Sequence, residues 1–185
     1  PDVGLIIKTN SGTNSTVDRT ISRNLLKSIL KQVRKGDFPK VYFLHGYLKD
    51  EEVSSLYQHP KVKGLISLTH GEGFGLPLLE AAACGLPVLA TNWSAHTEFL
   101  NLGKWKKIHG RIEKIPNKKV DGTIFIDGAK WANIDIPSAR KDLEDFVDNN
   151  ADFQSDAAAL KKSIRNAYSF RKISYRYDKF FKRWK

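Results

Sequence analysis

The chain holds 185 residues, 41% hydrophobic and 28% charged, with one cysteine and a net charge of +11 at pH 7. That length and balance suit one globular domain, or one domain with appendages, and exclude a disulfide-built scaffold. No stretch reaches the roughly 20 apolar residues of a membrane-spanning helix, and the charge favours polyanionic partners: nucleic acid, anionic lipid or phosphorylated small molecules.

The opening residues, Pro1-Asp2-Val3-Gly4-Leu5, do not have the form of a signal peptide. No methionine occurs anywhere, so the start reads as the edge of a longer or processed chain. Val3 to Thr9 (VGLIIKT) is a short apolar run that predicts a buried strand. After a Gly/Ser/Asn/Thr loop, Ser15 and Asp18 have the spacing of an N-cap pair. Val17, Ile21, Leu25, Ile29 and Val33 then recur every four residues, which predicts a helix to Lys35, closed by Gly36 and Pro39. Val41 to His45 (VYFLH) is a second strand, and Asp50, Glu51 and Glu52 suit the start of a short helix.

Gly64 to Thr69 (GLISLT) is a third strand, followed by a loop and a helix over Leu76 to Cys84 with Pro77 in its first turn. Cys84, in a run of small residues, reads as a core residue. Pro87 to Thr91 (PVLAT) is a fourth strand, and Ser94 is expected to cap the helix that contains Glu98. Strand and helix thus alternate, which predicts a parallel sheet covered by helices on both sides, with the loops after Thr9, His45, Thr69 and Thr91 on one rim. Further on, strands are predicted at Ile108 to Ile115 and at Thr123 to Asp127 (TIFID). Helices are predicted at Ser138 to Asp148, Ser155 to Tyr168 and Ile173 to Trp184.

The chemistry concentrates in His70-Gly71-Glu72-Gly73-Phe74-Gly75-Leu76-Pro77-Leu78-Leu79-Glu80-Ala81. Glycines at alternate positions let the backbone approach a ligand, and the helix start that follows favours an anion. Glu72 before the helix and Glu80 one turn inside it can accept hydrogen bonds from hydroxyls on either side of a bound phosphate. A tight turn with two surface acids is the plainer reading of the same residues. The spacing G-x-G-x-G is not the dinucleotide fingerprint G-x-G-x-x-G.

Glu72 and Glu80, inside EGFGLPLLEAAACGLPVLAT and with Glu98 beyond, resemble the donor-site motif of retaining glycosyltransferases of the GT-B fold, in particular family four, the group 1 glycosyl transferases. The similarity is strongest from Val41 to Leu100. It implies a three-layer Rossmann-like C-terminal lobe, here over residues 1–168, without its first strand and without the N-terminal lobe. It implies that Glu72 contacts the donor sugar as the catalytic-site acid. The amides of Phe74, Gly75, Leu76 and Leu78 would hold sugar and diphosphate, and Glu80 would hold the ribose. Pro77 has no N–H to donate. Where the family has Phe-Leu-Gly this chain has Phe43-Leu44-His45-Gly46, with Tyr47 and Leu48 then candidates for the base pocket and His45 a structural residue. The family's Arg and Lys beside the diphosphate are not matched, and Lys8 is the candidate replacement. For His70, ligand contact and loop support both stay open.

The resemblance implies a nucleotide-diphosphate sugar as donor, retention at the anomeric carbon, no metal and no cofactor. It further implies an acceptor bound mainly by the N-terminal lobe, so that this chain alone is expected to bind nucleotide weakly and to transfer no sugar. A non-catalytic nucleotide-sugar- or partner-binding lobe and a GT-B-fold sugar-nucleotide epimerase are the alternatives. Residues 169–185 form a basic, aromatic segment in which Ile173, Tyr177, Phe180, Phe181 and Trp184 share one helical face. Packing on the N-terminal lobe is the first expectation for that face and an anionic membrane surface the second. Nucleic acid is not expected, because no recognised module accompanies the charge. A cytoplasmic location, with membrane association through the tail, follows as the expectation.

Overall fold

The computed structural model describes residues 3–34 and 36–184 and contains two compact units, the first ending at Val53 and the second starting at Ser54. In the first, strand β1 (Leu5–Thr9) pairs in parallel with β2 (Val41–His45), from Leu5 opposite Val41 to Thr9 opposite His45. Helix α1 (Thr16–Val33) connects them, as parallel neighbours require. Ser15 caps it as expected, its hydroxyl accepting from the Asp18 amide at 3.1 Å. The expected end at Lys35 falls outside the described residues. The face α1 buries is not the expected one. Asp18 and Ser22 are buried, whereas Val17, Ile21, Leu25, Ile29 and Val33 are 46–67% exposed. Asp18 turns inward because it organises the preceding loop. Its carboxylate accepts from the amides of Ser11 and Thr13 and from the hydroxyls of Thr13 and Ser22.

Helix α2 (Asp50–Tyr57) carries the chain into the second unit. There β3 (Leu65–Ser67), β4 (Val88–Thr91) and β5 (Lys106–Ile108) form a parallel sheet in the order β3-β4-β5. All four residues of β4 are buried, and they alternate between two cores. Val88 and Ala90 pack with Leu78, Ala81 and Ala82 of α3 (Leu76–Cys84), Phe99 and Leu100 of α4 (His96–Leu100), and Leu160 and Ile164 of α6 (Asn150–Ala167). Leu89 faces the other way, with Ile108 and with Ala139 and Phe146 of α5 (Ile136–Asp148). Helices on both faces of a parallel sheet make the three-layer α/β arrangement predicted from the alternation of elements.

The ladders are separate: β1 and β2 form one, and β3, β4 and β5 another. The stretch predicted as one strand at Ile108 to Ile115 divides at His109, where β5 ends and β6 (Gly110–Lys114) begins. β6 pairs antiparallel with β7 (Lys130–Ile134), and the strand predicted at TIFID does not form. Thr123 to Asp127 forms turns instead, because Asp121 draws the amides of Thr123, Ile124 and Phe125 onto one carboxylate oxygen at 2.9 Å each. Helices α5, α6 and α7 (Phe170–Phe181) begin two to five residues earlier than predicted. Asp135 caps α5 and Ser169 caps α7. No helix among the described residues is long and apolar enough to cross a membrane.

Candidate functional site

The loop between β3 and α3 is pinned from two directions. From below, the buried Thr91 hydroxyl donates to the Thr69 carbonyl at 2.7 Å. The Ser94 hydroxyl accepts from the Glu72 amide at 3.0 Å and donates to the Glu72 carbonyl. The expected capping of α4 by the Ser94 side chain is therefore not made. Ser94 sits at φ +88°, outside the helix, with its hydroxyl committed to the loop. From the side, the Ala132 amide of β7 donates to the His70 carbonyl at 2.9 Å, and His70 Nδ1 lies 2.7 Å from the Ala132 carbonyl.

The three glycines answer to different demands. Gly75 has φ +84°, and a Cβ there would stand 2.9 Å from His96 Cβ. At Gly71 a Cβ would crowd Ser94 at 3.2 Å. At Gly73 it would meet no protein atom within 4 Å. Beyond Gly73, Phe74 and Leu76 are 46% and 54% exposed. Among the described residues, the amides of Phe74, Gly75 and Leu76 make no hydrogen bond to the protein. They open α3, whose dipole favours negative charge at that end. Leu78, expected as a further donor, is not available. Its amide donates to the Gly75 carbonyl at 3.0 Å and its side chain is in the core.

Glu72 is half-buried, and its carboxylate accepts from the hydroxyls of Thr69 (3.0 Å) and Ser67 (3.4 Å). Glu80, on the second turn of α3, lines a pocket with Leu79, Ala83, Ile164, Arg165, Tyr168 and Ser169. Burial, with the negative charge of Glu80 and then of Cys84 nearby, pushes the Tyr57 phenol up to about 12. Arg165 donates from Nε to the Ala83 carbonyl at 2.9 Å, satisfying one of the carbonyls left open at the far end of α3.

Lys8, Tyr47 and Leu48 belong to the first unit. Lys8 is exposed on β1 opposite Leu44. The Tyr47 amide donates to Asn14 Oδ1 at 3.0 Å and its hydroxyl to the Gly12 carbonyl at 2.9 Å, which ties the loops after β1 and β2 together. His45 is half-buried, with its side chain 7% exposed and its Nε2 3.5 Å from Asp18. Burial alone would raise the Asp18 pKa; the bonds from Ser11, Thr13, Ser22 and His45 outweigh it and hold the carboxyl well below the usual range. Among the described residues no cluster of three His, Cys, Asp or Glu could hold a metal ion. Residues that sequence reasoning missed are Ser94, Trp131 and Ala132. The serine carried a misleading cap signal, and the other two lie about sixty residues from the loop they touch.

Parallel strands between helix layers, with a glycine loop leading into a helix start, define a Rossmann-like α/β protein. The sequence model of the family "Glycosyl transferases group 1" matches residues 22–119, just over half of the chain, and the chain belongs to that family. It is similar to the O-antigen chain mannosyltransferase B of Escherichia coli, 43% identical over 47 residues, which are 25% of this chain and 12% of that protein. It is also similar to a "Probable sucrose-phosphate synthase" of Thermosipho melanesiensis, 42% identical over 57 residues, 30% of this chain and 14% of that one. Both matches thus span a small part of the relatives' length.

Proposed function

We propose that this chain is the donor-binding lobe of a retaining glycosyltransferase and holds a nucleotide-diphosphate sugar at the loop from Gly71 to Leu76. The observation that carries the reading is the row of three uncommitted amides at the start of α3 beside Gly73, whose missing side chain no protein contact requires. In this reading the diphosphate rests on Phe74, Gly75 and Leu76, Glu72 takes hydroxyls of the sugar, and Glu80 takes the ribose. The name of the Escherichia coli relative supports a hexose as the moved group.

The chemistry is attack of an acceptor hydroxyl on the anomeric carbon with departure of the nucleoside diphosphate. Positioned amides and the helix dipole stabilise the charge that develops on the leaving oxygens. The reading needs no metal and no cofactor, since amides and cations take that charge. The remaining catalytic groups and the acceptor site belong to an N-terminal lobe, so this chain alone binds nucleotide weakly and transfers no sugar. That lobe is also the first partner for the aromatic face of α7. An anionic, cytoplasm-facing membrane surface is the second, supported by the exposure of Phe170, Tyr177, Phe180, Phe181 and Trp184 opposite a basic face.

The test is a thermal-shift and calorimetric panel of UDP-, GDP- and ADP-sugars. Binding of one of them, weakened by Gly73→Ala, supports the reading. Binding by wild type that Gly73→Ala leaves intact would place the nucleotide elsewhere. Sugar binding without donor hydrolysis after an N-terminal lobe is restored would favour the non-catalytic alternative, and epimerised product the other.

A further inference from the structure

Both main-chain groups of Ala132 turn to His70. Ala132 is buried, with 1% of its surface exposed. Its N–H donates to the His70 carbonyl at 2.9 Å, and its carbonyl lies 2.7 Å from His70 Nδ1. A carbonyl only accepts, so Nδ1 carries the proton in this contact and the tautomer is set. His70 thus covers the edge of β7 as one residue of an added strand would, with the imidazole Nδ1–H in place of a second amide. The ring also lies flat on Trp131, centroids 4.0 Å apart and planes 11° off parallel. Phe125 packs edge-on against the same indole at 5.8 Å, which joins the turn organised by Asp121 to the assembly. His70 directly precedes Gly71, and the free amides described above begin four residues on, at Phe74.

We propose that the β6–β7 hairpin is a clamp on the anion-binding loop and that His70 is its positioning residue, acting through Nδ1 and the face of its ring. The inference rests on the reading of that loop as the donor site. Ser94 holds Glu72 from the α4 side, and His70 holds the other end of the loop from the hairpin. Both anchors fix the chain where it enters Gly73, and Leu78 of α3, packed in the core, fixes it beyond Leu76, so little ordering remains when an anion binds.

Asparagine places a side-chain N–H near the position of Nδ1, and glutamine near that of Nε2, so the two substitutions separate the roles. The measurements are hydrogen exchange at the amides of Gly71 to Gly75 and calorimetric affinity for UDP, GDP and ADP. His70→Ala, His70→Gln and Trp131→Ala are expected to speed exchange and weaken the nucleotide that binds, each about tenfold. His70→Asn is expected to stay within about threefold of wild type in both, and Trp131→Phe to keep most of the protection. A merely structural role would instead move the melting temperature and the exchange of β3 and β4 together. His70→Gln behaving as wild type while His70→Asn fails would overturn the clamp in favour of contact through Nε2. Unchanged exchange in all variants would also overturn it. If wild type binds none of the three nucleotides, the donor reading fails, and loop exchange alone then decides the clamp.

Discussion

Gly73 separates structural from functional demand more cleanly than any other residue of the loop. Its backbone is not in the left-handed region and a Cβ would touch nothing in the protein. Gly73→Ala should therefore leave stability unchanged or raise it by about 0.4–1 kcal/mol, as a restricted unfolded chain does. The same change should weaken nucleoside diphosphate binding at least about tenfold, because the methyl fills the space a phosphate would use. Chemical denaturation and calorimetry on one preparation read both quantities. Asp18 gives a pH prediction at the same scale. Its pKa is lowered by folding, so its contribution is present above the unfolded value of about 3.9 and fades as pH falls through the folded one. Hydrogen exchange at the β1–β2 amides should speed up in acid, and Asp18→Asn should flatten that dependence.

Among the elements, α3 and α6 carry the second unit. Leu160 of α6 packs with Leu78, Ala81 and Ala82 of α3. Leu160→Ala should cost about 2–5 kcal/mol by urea denaturation, the range for a buried leucine. An ion pair adds to the apolar contact between β5 and α5. Lys106 Nζ lies 2.6 Å from Asp145 and 3.0 Å from Asp142. Burial would lower the lysine pKa, but the two carboxylates raise it overall, and the lysine in turn lowers Asp145, so this link persists at neutral pH and is lost in strong alkali or in acid. Helix α1 shows the opposite economy, with its aliphatic stripe exposed and its polar face inward. Period alone located that helix, while the carboxylate of Asp18 chose which face to bury.

For the molecule as a whole, the proposed reaction makes no use of a divalent ion. Transfer by a chain with its N-terminal lobe restored should survive EDTA, and a loss of rate restored by magnesium would contradict the proposed chemistry. The isolated chain should show no transfer above background in the same assay. Helix α7 has no buried residue, and at helical spacing Phe170, Tyr177, Phe180 and Phe181 stand opposite Arg171, Lys172, Arg176 and Lys179. Sedimentation with vesicles, with and without anionic lipid, distinguishes the two partners proposed for that face. Retention by anionic vesicles alone, abolished by Phe180→Ser together with Trp184→Ser, would favour the membrane.

Local chemistry made the alternation of strands and helices, the caps at Ser15 and the motif from Gly71 to Glu80 readable from the chain itself. Capping, apolar period and glycine spacing act within a few residues, so linear order contains them. The family match over residues 22–119 rests on that same local order. Tertiary structure alone decided that the Ser94 hydroxyl serves Glu72, that β7 pairs with β6, and that His70 rests on Trp131 and Ala132. In each case a side chain or main-chain group is satisfied by a partner tens of residues away. The demand for a partner is written locally, but which partner meets it depends on what the packed sheet brings within about 3 Å.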